Sequence, residues 1–133
     1  MDPIEIFARG AWTFIPDDAD VSWVERVAAL EGSDAPLGDY GPLVKDMLAK
    51  GVAPEAIARF AKIVGYETAF GLCYHLGDPN ASYEGFPDAD QRISWALFQT
   101  DPDTDAPTDV MCGVHEVMLS MDPSGLEMRP KGT

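Results

Sequence analysis

Basic residues are scarce in this sequence. Only 9 Lys and Arg stand against 23 Asp and Glu in 133 residues, a formal net charge of −14. Proteins bind polyanions mainly through Lys and Arg that displace counterions, and there is no basic run here from which to build such a patch. Nucleic acid and anionic membrane surfaces are therefore not expected partners. Long apolar runs are missing too. The longest near-apolar stretch, Thr68 to Tyr74, is far shorter than the roughly 20 residues a membrane-spanning helix needs. The opening Met1-Asp2-Pro3-Ile4-Glu5 has neither the basic start nor the apolar core of a secretory leader, which predicts a cytoplasmic protein. In that compartment the two cysteines, Cys73 and Cys112, are expected as free thiols rather than a bridge.

The usual signatures of catalysis and metal binding are also lacking. There is no glycine-rich phosphate loop and no serine or cysteine in a nucleophile elbow, and His115-Glu116 has Leu119 where a zinc-protease helix carries its second histidine. Cys73 with His75 and Cys112 with His115 offer four zinc-type ligands. Residues two apart on a helix, however, point about 200° apart, so the first pair could not reach one ion without a break in the helix. Asp101-Pro102-Asp103-Thr104-Asp105 resembles the start of a calcium loop. Counting from Asp101, though, Ala106 stands where glycine makes the turn, and Cys112 where a bidentate glutamate belongs. No metal and no cofactor is expected, and the sequence argues against an enzyme more than for one.

What is present is a chain of single-domain size with 46% hydrophobic residues, enough for one core without staples. Asp2-Pro3-Ile4-Glu5 and Ser22-Trp23-Val24-Glu25 read as capping boxes, with Gly10 and Gly32 as the expected ends of the two helices they open. Pro42 is expected to start a helix through Leu43, Val44, Met47 and Leu48 that Gly51 closes. The longest element is predicted as a central helix over about 54–76, with a stripe of Ile57, Phe60, Ala61, Val64, Ala69 and Leu72, an exposed Glu55–Arg59 pair, and an enclosed run from Ala69 to Tyr74. Gly65 and Gly71 inside it suggest close packing or a kink. The corner it forms with the preceding helix superficially resembles a helix-turn-helix, but Arg59 and Lys62 cannot offset so negative a surface.

After Gly77 the chain becomes turn-rich. The stretches Ile93 to Phe98 and Val114 to Met121 fit either a strand or a helix, the second read here as helical. The expected fold is mainly α, a compact helical domain around the long central helix, with an α+β alternative in which the C-terminal third holds a small sheet.

The acidity is not evenly spread. Asp78 to Asp122 holds 10 acids and one base, Arg92. This points to an interaction domain, of inhibitor or immunity type, that binds a basic protein surface. Its candidate contacts are Tyr83, Glu84, Phe86, Asp88, Asp90, Asp101, Asp103 and Asp105. The alternative is a small-molecule-binding domain or enzyme with a pocket formed by Tyr74, His75, Trp95 and His115.

Overall fold

In the computed structural model, which describes residues 2–78 and 94–132, the acidic opening forms the capping box its spacing predicts. Asp2 Oδ1 accepts a hydrogen bond from the Ile4 N–H at 2.9 Å, and Glu5 Oε2 accepts one from the Asp2 N–H at 3.4 Å. Helix α1 (Pro3–Trp12) then runs past Gly10, where an end was expected. The cause is tertiary. The last residue, Trp12, is buried, donates its indole N–H to the Met118 carbonyl at 2.8 Å and stacks on Tyr66. That anchoring outweighs the roughly 1 kcal/mol by which glycine disfavours a helix.

Helix α2 (Ser22–Ala28) does not use its predicted box. Ser22 already lies inside the helix, and its hydroxyl accepts from Arg26 at 2.8 Å. The carboxylate that serves the helix start is Asp20, which accepts from the Ser22 N–H at 3.0 Å. Hydrogen bonds from the Ser22 backbone and side chain hold the Asp20 carboxyl below its ordinary range. Helix α3 (Tyr40–Ala49) begins two residues before Pro42, which its first turn accommodates because the N–H there has no helical partner in any case. Gly51, at φ 88°, ends it as expected.

Helix α4 (Pro54–Gly77) is the long helix of the prediction. Strand β1 (Phe98–Thr100) pairs antiparallel with β2 (Pro107–Val110), matching Phe98 to Val110 and Thr100 to Pro107 across a register irregularity. A short α5 (Val114–Val117) follows. The fold is thus mainly α with a small two-stranded sheet in the C-terminal third. Of the two ambiguous stretches, residues 94–97 are irregular and only Phe98 enters a strand, while the second is helical for one turn. No described helix is long and apolar enough to cross a membrane.

The chain forms two compact units, residues 15–65 and residues 2–14 with 66–132. The core of the first is Val24, Val44, Ile57 and Ala58, with Trp23, Val27, Met47 and Leu48 packed around it. Asp18 is buried in this unit with its carboxylate oxygens 3.2 Å from Lys62 Nζ and 3.6 Å from Arg59 Nη1, so Arg59 pairs with Asp18 rather than with the expected Glu55. In the second unit α1 packs on α5, and the buried residues among those described are Ala8, Trp12, Cys73, Val114, Met118 and Asp122.

The side chains of α4 depart from the predicted stripe. Ile57, Ala58, Lys62 and Cys73 are buried, whereas Phe60 is 70% exposed and Leu72 59%. The run expected to be enclosed, Ala69 to Tyr74, buries only Cys73. Gly65 is closely packed, since a Cβ there would lie 2.8 Å from Pro16 Cδ, but one at Gly71 would meet nothing within 4 Å.

Candidate functional site

The first unit carries an apolar groove of about 590 Å³. Tyr40, Leu43 and Met47 of α3 form one wall, and Ala56, Phe60 and Val64 of α4 the other. Their spacing explains the walls. On α3 the intervals are three and four residues, and on α4 they are four and four, so each set stands on one helical face. Val44 and Ile57, both buried, line the base, and Val52 from the α3–α4 turn also contributes. The walls are open to solvent, with Leu43 at 54% exposure and Val64 at 46%.

Almost nothing polar lines this surface. Trp23 contributes its indole, but the Nε1–H is already donated to the Asp17 carbonyl at 2.6 Å. The Tyr40 hydroxyl is the other polar side-chain group of the lining. Both walls are α-helices whose interior amides are engaged within the helices, and the first-turn N–H groups of Tyr40 and Ala56 are donated to the Leu37 and Ala53 carbonyls at 3.0 Å, so the walls offer a ligand no ladder of donors and acceptors. Asp46 lies on an exposed flank of α3, Asp39 is exposed at the start of the helix seven residues earlier, and Lys45 projects from the face opposite the wall. Asp46 pairs with Lys50 at 2.8 Å on the open surface, and Asp39 forms no ion pair among the described residues.

The other candidate residues fall elsewhere. Tyr83, Glu84, Phe86, Asp88 and Asp90 lie outside the described residues. Asp101, Asp103 and Asp105 form the β1–β2 turn. The Asp101 Oδ1 atom accepts from the N–H groups of Asp103 at 2.8 Å and Thr104 at 3.1 Å, so this carboxylate closes its own turn, while Asp103 and Asp105 are exposed. No group of three or more His, Cys, Asp or Glu among the described residues is placed to hold a metal ion.

Tyr74, His75, Trp95 and His115 meet as two pairs. The His115 ring lies edge-on to Tyr74, with centroids 4.9 Å apart, and touches Phe70 at 5.6 Å. The His75 ring packs on Trp95 at 4.7 Å, and Trp95 donates its indole N–H to the His75 carbonyl at 3.1 Å. His115 Nδ1 is buried without a hydrogen-bond partner. Tyr66, Phe70 and Tyr74, four residues apart on α4, continue this packing to Trp12. Burial pushes the Tyr66 hydroxyl and the Cys73 thiol above their ordinary values, and Cys112 is an exposed free thiol.

The spacing of the groove residues is visible in the sequence, but it does not mark a groove. Leu43 and Met47 recur at helical spacing and Phe60 and Val64 lie on the predicted stripe of the long helix, and apolar residues in that pattern usually face a core. Tyr40 and Ala56 each stand next to an acid and carry no such signal. Comparison of the chain with known protein families, with curated proteins and with solved structures finds no match.

Proposed function

We propose that this chain is a small, acidic, cytoplasmic protein-interaction domain that binds a basic partner surface. The observation that carries this reading is the open apolar groove between α3 and α4. Single exposed apolar side chains are ordinary on protein surfaces, but a set converging on one groove is a mark of an interaction site. Leaving Phe60 70% exposed beside Leu43 and Val64 costs solubility that a partner covering them would recover. Charge has a separate role. A net −14 attracts a basic surface over long range and speeds encounter, while apolar anchors set how long the complex lasts. Exposed Asp103 and Asp105 of the β1–β2 turn add to that field.

The small-molecule reading draws no comparable support from the described geometry, because Tyr74, His75, Trp95 and His115 pack against one another in pairs. Paired capture from a native lysate tests the interaction reading, with wild-type chain and Phe60→Ser as baits. A basic protein that the wild type retains, that salt elutes and that Phe60→Ser fails to retain would support it. Identical recoveries with the two baits would refute it.

A further inference from the structure

We propose that the groove of the first unit seats an amphipathic helix, apolar on the face it buries and basic on the flank that passes α3. This deepens the interaction reading above and rests on it. The polarity of the lining selects the form of the occupant. An extended peptide or a loop laid in the groove would bury backbone N–H and C=O groups against walls that offer them no partner, and each group left unpaired loses its bonds to water without replacement. A helix satisfies its own backbone before it arrives and presents only side chains. The dimensions agree. Tyr40 to Met47 and Ala56 to Val64 each cover about two helical turns, roughly 10–12 Å at 1.5 Å per residue. That length matches anchors spaced i, i+3 or i+4, and i+7.

Charge selects the flank and disfavours a second copy of this chain. Asp39, the exposed residue at the start of α3, and exposed Asp46 within it are seven residues apart, so Lys or Arg at i and i+7 of the incoming helix is matched to them in spacing and charge. The Lys50 contact of Asp46 is solvent-exposed on both sides, at 72% and 56%, and an ion pair of that kind contributes little and yields readily to a competitor. Elsewhere in this unit the cations Arg59 and Lys62 are committed to buried Asp18. Two chains each at −14 repel, whereas a cationic helix is attracted.

The test uses three labelled 18-residue peptides and the full chain in fluorescence anisotropy at about 0.15 M salt. The first is built of Leu and Lys with all Leu on one helical face. The second has the same composition with Leu and Lys alternating, so that no face is apolar. The third has the pattern of the first with Glu for Lys. The first should bind at least tenfold more tightly than the second, and the third should not bind. Phe60→Ser should weaken the first about tenfold, and so should Asp39→Asn with Asp46→Asn, which should also flatten its salt dependence. Lys45→Gln should change neither. These side chains are exposed, and far-UV circular dichroism checks that each variant retains its helix.

Equal binding of the first two peptides, with Phe60→Ser weakening both, would overturn the helical occupant and leave the groove as an interaction surface. Binding unaffected by Phe60→Ser would overturn both readings. A Phe60-dependent dimer in sedimentation, or stoichiometric Phe60-dependent uptake of Nile red without peptide binding, would give the groove to a second copy or to a small apolar molecule and overturn the proposal.

Discussion

Lys62 is only 6% exposed, and its ammonium lies 3.2 Å from the buried Asp18 carboxylate. Removing one member of such a pair leaves the other charge desolvated, which costs about 3 kcal/mol or more, whereas replacing both with apolar residues costs much less. Asp18→Ala should therefore lower stability by about 3 kcal/mol in urea denaturation, and Asp18→Leu with Lys62→Met should recover most of that loss. Equal losses in the single and double variants would show that the pair is not the reason for the burial. Asp18 also shows what local patterns leave out. Glu55 and Arg59 have ideal helical spacing, yet Arg59 turns to a carboxylate 41 positions earlier in the chain. A partner brought near only by the fold cannot be read from a window of neighbouring residues. Ser22 gives the same lesson at short range, since Arg26 takes the hydroxyl that would have capped the helix.

The elements were the more legible level. Asp2-Pro3, Gly51 and Pro54 punctuate helices through their own backbone chemistry, and the structure honours each. Which face of α4 is buried could not be found this way. Its apolar residues go most of the way round, so periodicity gave a broad stripe, and only the packing partners decide that Ile57 is covered and Phe60 is not. Helical glycines separate the two kinds of information sharply. Gly41 is buried, and a Cβ on it would run into the Leu30 carbonyl, part of a backbone with little freedom to withdraw. Gly41→Ala should destabilise the fold by about 1–3 kcal/mol despite alanine's better helix propensity. Gly71→Ala enters open space on α4 and should stabilise by about 1 kcal/mol. Thermal denaturation of the two variants checks the pair, and shifts of the same sign would contradict this account.

For the molecule as a whole, class and charge are legible in the sequence but the groove is not, because it is lined jointly by faces of two separately amphipathic helices. Its charge makes ionic strength a lever on encounter. Raising salt from about 0.05 to 0.5 M should slow association with a cationic peptide far more than it speeds dissociation, because screening acts on the approach and the apolar walls act on residence. Stopped-flow kinetics separates the two rates, and a salt effect confined to dissociation would contradict this division of roles. Alkali is a second lever. Burial raises the Tyr66 and Cys73 values in the folded chain, so the folded state holds both protons to higher pH than the unfolded state does. Their contribution is whole below the ordinary thiol value of about 8.5 and is lost as pH rises through the raised folded values. The melting temperature should fall above about pH 9, and Tyr66→Phe should make that fall shallower.

The tryptophans give each unit its own optical reporter. Trp23 is the one indole of residues 15–65, while Trp12 and Trp95 belong to the other unit. With Trp12 and Trp95 changed to Phe, all indole emission would come from a ring on the lining of the apolar groove. The same unlabelled sample could then report the melting of that unit and, through a blue shift as water leaves the ring, the arrival of a guest.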